Sequence, residues 1–282
     1  MKTIITAIDF SRCSIHALEY SINLANTVEA DIVMVYVDAP DTDSEMAVIS
    51  REHRLETKNQ FEEIIERYSP ELTGGKLTYK IRKGKVYQEI ANQAKYDDAM
   101  LIITGSHGVS GFEKFWIGSN AFRIVSYAPC PVLTVRLAFP YKNTIKTIVL
   151  PIDSTGDTRQ KVPYIVRLAK FFNSEIHILA VYSTSIVAVQ KKVDIYVEQT
   201  ARFIHDHGVK FKAEIIQADN IPNAIISYAE EVDADLVSIM TEQESSAATF
   251  LLGPYAQQMI NNSPIPVLTS QAKEFQKVMS EF

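Results

Sequence analysis

The chain repeats itself, and this constrains its fold more than any other feature. Ile90, Ala94, Asp98, Ala99 and Leu101 recur 135 positions later as Ile225, Ala229, Asp233, Ala234 and Leu236. The same offset of 135 carries Gly118 to Gly253, and Pro129-Cys-Pro-Val-Leu-Thr134 to Pro264-Ile-Pro-Val-Leu-Thr269. Upstream, Ile4-Ile-Thr-Ala-Ile-Asp9 returns as Ile148-Val-Leu-Pro-Ile-Asp153 at an offset of 144. A length change of nine residues therefore separates the matched blocks, in the stretch after Val37. Two copies of one domain of roughly 135–140 residues account for the whole length. The boundaries expected from this are 1–138 and 144–272, with the junction at Phe139–Asn143 and a tail over 273–282.

Each copy alternates short apolar runs with helical periodicity. Thr3–Ile8, Ile32–Val37, Leu77–Ile81, Met100–Ile103 and Val132–Val135 read as strands, the first two as buried parallel ones. Between them run stripes such as Ile15, Leu18 and Ile22, or Val86, Ile90 and Ala94. The second copy repeats the order with Ile148–Ile152, Ile176–Val181, Phe211–Ile216, Leu236–Met240 and Val267–Thr269. Strands alternating with helices predict two tandem α/β domains, each a doubly wound parallel sheet of five strands. Pro163 falls inside a helical stripe and is tolerable only in its first turn. In sheets of this kind ligands bind beyond the carboxyl ends of the strands.

After Leu101-Ile-Ile-Thr104 comes Gly105-Ser-His-Gly108, then nine residues, then Gly118-Ser119-Asn120 opening a helix. The two glycines are expected to take positive φ and bring backbone N–H groups to a polyanion. Gly118 and Ser119 then offer free N–H groups and a hydroxyl at a helix N-terminus. Neither a Walker loop nor a G-x-G-x-x-G is present. Asp9, ending the first strand, is a cap or a ligand contact; Ser11 is the competing cap.

The spacing Gly105-x-x-Gly108-x9-Gly118-Ser119, the first strand ending in Asp9, and Pro129-x-Pro-Val-Leu together resemble the universal stress protein family. The resemblance covers both copies. It implies an adenine nucleotide alpha-hydrolase-like fold with strand order 3-2-1-4-5 and association through the fifth strand. It places an adenine pocket on Ala7, Asp9 and Val37, and a phosphate loop on Gly105, His107, Gly108, Gly118, Ser119 and Asn120. The implied cofactor is ATP or another adenine nucleotide, with or without Mg. Each fifth strand ends a sheet and leaves an edge to cover. The two are expected to pair as an intramolecular pseudo-dimer, which offers a two-sided surface for a homodimer.

The second copy departs from the motif. Met240 stands for Gly105, Gln243 for Gly108 and Pro254 for Ser119, while Gly253 matches Gly118. Met240 and Gln243 take positive φ at a cost of roughly 1–2 kcal/mol each. Pro254 removes an amide, and Glu242 and Glu244 add negative charge. This copy is expected to be a scaffold without nucleotide.

Charge excludes other classes. Residues 1–138 hold 15 basic and 18 acidic side chains and the remainder 13 and 16, so each half stands at −3. No basic stripe invites nucleic acid. No apolar run is long enough to span a membrane, and two cysteines, Cys13 and Cys130, make neither a disulfide framework nor a metal site. A cytoplasmic location is the resulting expectation. The leading function is a nucleotide-binding stress-response regulator, with an unknown protein partner and no catalytic residue. The alternatives are a slow ATP hydrolase or phosphoryl- or adenylyl-transfer enzyme, and a nucleotide-free interaction scaffold. The loop carries one cation, Lys114, which argues for turnover below about 1 s⁻¹.

Overall fold

A computed structural model describes residues 2–38, 47–106, 118–140, 144–241 and 252–271, with backbone alone for 47–52. The amino-terminal half runs β1 (Lys2–Ala7), α1 (Arg12–Val28), β2 (Ala30–Asp38), α2 (Ala47–Tyr68), β3 (Leu77–Lys83), α3 (Val86–Tyr96), β4 (Leu101–Gly105), α4 (Ser119–Tyr127) and β5 (Val132–Val135). The carboxy-terminal half repeats it as β6 (Thr147–Ile152), α5 (Val162–Phe172), β7 (Glu175–Tyr182), α6 (Val187–Asp206), β8 (Lys210–Gln217), α7 (Ile221–Glu231), β9 (Leu236–Thr241), α8 (Pro254–Asn262) and β10 (Val267–Gln271). Pro163 does lie in the first turn of α5. There its missing N–H costs no hydrogen bond.

The strands form one sheet in the order β3-β2-β1-β4-β5-β10-β9-β6-β7-β8. Within each half all pairings are parallel, and the order is 3-2-1-4-5 in both. Fully buried Ile4, Ile32, Leu101 and Ile103 face a layer with α1 and α2; Ile5, Val35 and Ile102 face α3 and α4. The first layer continues unbroken into α5 and α6, so the halves share one core.

The halves meet at β5 and β10, which pair antiparallel with Val267 opposite Thr134 and Thr269 opposite Val132. The expected pairing of fifth strands is thus present within one chain. Hydrogen bonds cross the seam in reciprocal pairs. Thr134 Oγ1 donates to the Val267 carbonyl at 3.2 Å, and Thr269 Oγ1 to the Val132 carbonyl at 3.1 Å. Arg136 reaches across to the Ile260 and Asn261 carbonyls at the end of α8. Gln271, its repeat counterpart, reaches back to the Val125 and Ser126 carbonyls at the end of α4, at 3.2 and 3.1 Å. Each half therefore caps a helix C-terminus of the other, satisfying carbonyls that have no partner within the helix. Arg136→Ala is expected to cost about 1–3 kcal/mol and Gln271→Ala about 1 kcal/mol, because only the first bond is charge-assisted. Urea denaturation of the full chain measures both; equal and negligible losses would show the caps to be incidental.

The first two residues of the junction are anchored. His16 Nε2 donates to the Phe139 carbonyl at 2.9 Å and the Tyr20 hydroxyl to the Pro140 carbonyl at 3.1 Å. Both side chains come from α1, which ties the start of the linker to the amino-terminal half.

Candidate functional site

The carboxyl ends of β1, β2 and β4 gather the expected residues of the amino-terminal half. Ala7 and Val37 are half-buried and pack on the same side of the sheet. Asp9 lies in the turn between β1 and α1, where its Oδ1 accepts the Ser11 N–H at 3.0 Å. Ser11 in turn caps α1, accepting the Ser14 N–H at 3.2 Å. The cap is therefore Ser11, and Asp9 shapes the turn that leads into it. At the top of β4 the Ser106 N–H donates to the Val135 carbonyl at 2.9 Å, and Gly118 N–H returns to the Ser106 carbonyl at 2.7 Å. The loop that leaves at Ser106 thus closes on its own starting point. Ser119 and Asn120 open α4, exposed, with no acidic residue in its first turn. Free amides and an uncompensated helix dipole make this end attractive to an anion. His107, Gly108 and Lys114 lie outside the described residues, as do Glu242, Gln243, Glu244 and the tail over 273–282.

Gly105 serves a different purpose from the expected one. The glycines with positive φ among the described residues are Gly84 and Gly208, and Gly105 is an ordinary strand residue. Its lack of a side chain matters because α1 presses against it. A Cβ here would lie 2.9 Å from the Cys13 carbonyl oxygen and 2.7 Å from its Sγ. The glycine permits close approach of a helix N-terminus to the sheet.

The carboxy-terminal half has a side chain at the matching position, and its helix start is different. Asp153 keeps the turn: its Oδ1 accepts the Thr155 N–H at 2.7 Å, and its own N–H donates to Thr158 Oγ1 at 3.3 Å, as Asp9 does to Ser14. Beyond it the chain forms a 3₁₀ turn, Gly156–Arg159, against β9, and α5 begins only at Val162, the counterpart of Leu18. Met240 occupies the Gly105 position in β9. The penalty expected for its φ does not arise, because it is an ordinary strand residue; what differs is that a side chain stands where the other half has none. Lys161 stands where the amino-terminal half has Ala17, and is 2% exposed. Its ammonium donates to the Thr158 carbonyl at 2.7 Å and to Thr158 Oγ1 at 3.3 Å, so it is tied to the 3₁₀ turn that precedes α5. Burial pulls its pKa down to about 8 against the opposing pull of Asp153.

Two further residues distinguish the amino-terminal half, and neither was read from the sequence. Exposed Arg12 opens α1 where the other half has Gly156, which sets a cation at this end. Phe10 adopts φ 61, in the left-handed region. The other non-glycine residues of positive φ come in repeat pairs, Glu29 with Asn173 and Asp98 with Asp233; the counterpart of Phe10, Ser154, is not among them. For a bulky side chain this conformation costs on the order of 1–2 kcal/mol. It is held by ring contacts to Tyr36 at 5.2 Å and Phe61 at 5.0 Å, and Phe61 stacks on Tyr79 at 4.5 Å.

A doubly wound parallel half, duplicated about an antiparallel seam, defines a class of tandem α/β proteins. The universal stress protein family model matches residues 1–136 and again 144–270, and the chain belongs to that family. The universal stress protein YxiE of Bacillus subtilis is 31% identical over 143 residues, 47% of this chain and 97% of the relative. A universal stress protein of Methanocaldococcus jannaschii is 27% identical over 144 residues, 48% of this chain and 82% of the relative. The crystal structure of a universal stress protein from Archaeoglobus fulgidus superposes with a TM-score of 0.77 at 19% identity, covering 96% of this chain and 98% of that one. The two short relatives each correspond to about one half, whereas the Archaeoglobus protein matches the whole tandem arrangement. Among the described residues no helix is long and apolar enough to cross a membrane, and no cluster of three or more His, Cys, Asp or Glu could hold a metal.

Proposed function

We propose that this is a regulatory protein of the cytoplasm that binds one adenine nucleotide, ATP foremost, in its amino-terminal half. The observation that carries the reading is the difference between the two helix starts. One half brings the N-terminus of α1 onto Gly105, and the other carries Met240 at that position, starts its helix later at Val162 and buries Lys161 just before it. The base lies against Ala7 and Val37, Asp9 faces the adenosine side, and the phosphates take the amides of Ser119 and Asn120 beside Gly118, with His107 and Gly108 completing the loop. The acid-free start of α4 fits a polyphosphate. The carboxy-terminal half is the scaffold that covers the β5 edge. Arg12 and Ser119 hold a ground state and offer no evident device for orienting an attacking water, so the nucleotide acts as a signal rather than a substrate.

Titration calorimetry of the full chain with ATP is expected to give one site per chain. Gly118→Glu is expected to abolish that binding, because it sets a carboxylate at the phosphate position. Gly118 sits at φ −59, which glutamate adopts freely, so the fold is retained. Two equivalent sites, or undiminished affinity in the variant, would overturn the assignment.

A further inference from the structure

Asp38 ends β2, one residue beyond Val37, and shares its surroundings with Asp9. β1 and β2 pair in parallel with Ala7 beside Val35, and Phe10, next to Asp9, packs on Tyr36 at 5.2 Å, which brings the two strand ends together. The Asp38 carbonyl accepts the Gly84 N–H at 3.1 Å and so fixes the strand end. Its carboxylate oxygen Oδ1 is shielded from solvent, yet no N–H or O–H among the described residues meets it in hydrogen-bonding geometry. His53 of α2 brings Nε2 to 3.4 Å from that oxygen, but the same nitrogen is 3.2 Å from the Tyr36 hydroxyl. A ring nitrogen has one proton or one lone pair to give. Engaged with the phenol, it leaves Asp38 Oδ1 an acceptor in want of a donor, a costly state for a buried ionised oxygen.

The other half has closed this feature. Tyr182 occupies the position of Asp38 at the end of β7, and its hydroxyl donates to Asp194 of α6. The half that has lost its loop glycines is thus satisfied here, and the half that keeps them is open.

We infer that Asp38 Oδ1 takes its hydrogen bond from the nucleoside of the bound nucleotide and sets which nucleosides the amino-terminal half accepts. The inference rests on the adenine-nucleotide reading of that half. A nucleoside with its base against Ala7 and Val37 presents two kinds of donor, the ribose hydroxyls and the 6-amino group of adenine. A carboxylate accepts from either and repels a lone pair, such as that of the 6-oxo group of hypoxanthine.

The test titrates the full chain with ATP, 2′-deoxy-ATP, 3′-deoxy-ATP and inosine triphosphate. At least one analogue lacking the donor is expected to bind wild type about tenfold more weakly than ATP. Asp38→Ala is expected to weaken ATP by about the same tenfold and to leave that analogue unchanged, so that the two bind alike. Asp38→Asn, which keeps the volume, is expected to narrow the same gap and guards against a folding defect in the alanine variant. Unchanged ATP affinity in both variants, or equal weakening of all four nucleotides, would overturn the role of Asp38 while leaving the nucleotide site standing. A wild type that binds none of the four would overturn the site itself.

Discussion

Gly105→Met is expected to abolish ATP binding and to destabilise the chain by about 1–3 kcal/mol, the usual range for forcing a side chain into filled space. Methionine is the residue the other half carries at this position, so the substitution asks one half to become its counterpart. The first new atom would lie 2.9 Å from a backbone oxygen and 3.0 Å from the Cys13 carbonyl carbon. Backbone cannot rotate out of the way as a flexible side chain can, so the start of α1 must retreat. With it go the Ser11 cap and the placement of Asp9 and Arg12. Calorimetry reads the binding and urea denaturation the stability. Retained affinity with retained stability would show that the close contact at Cys13 does not shape the site.

Lys161→Met is expected to stabilise the protein and to remove a pH dependence. The ammonium titrates at about 8 in the folded chain against an ordinary value of 10.5. Below pH 8 both folded and unfolded chains carry the proton, and the full cost of the buried charge is present, about 3 kcal/mol from the size of the shift. Between pH 8 and 10.5 the unfolded chain binds more protons than the folded one, so stability rises with pH across this window. Above it the cost is gone. Methionine carries no charge to bury but forfeits the two bonds to Thr158, about 1 kcal/mol each, leaving a net gain of about 1 kcal/mol at pH 7. Urea midpoints at pH 7 and pH 10 measure both effects. A variant whose midpoint climbs with pH as steeply as wild type would place the titration elsewhere.

The repeat at offsets 135 and 144 makes the architecture legible, because a duplicated α/β domain has few ways to arrange its strands. Strand order, the first-turn place of Pro163 and the pairing of fifth strands all come from pattern and resemblance. The site is legible only where glycine spacing marks it. Gly105 stands out, but its reason does not, since a glycine beside a packed backbone and one at positive φ look alike in a sequence. Lys161 carries a signal that the sequence reading missed: aligned at 144, it faces Ala17, a charge in an apolar stripe. Asp38, Phe10, Arg136 and Gln271 carry none. Their roles depend on groups from other elements, His53, Phe61 and the ends of α8 and α4, that only the folded chain brings to them.

The antiparallel junction of β5 and β10 reverses the direction of the sheet at its midpoint. Every strand of one half points its carboxyl end one way, and every strand of the other half the opposite way. The candidate pocket and its altered counterpart therefore open at opposite poles of the molecule. No single small ligand can bridge them, and a change at one pole leaves the surface of the other untouched. Duplication gave the chain an internal partner that protects an edge, and polarity freed that partner's own pole to diverge. The molecule is in this sense directional: a candidate receptor at one end and, at the other, a surface that can change without cost to it.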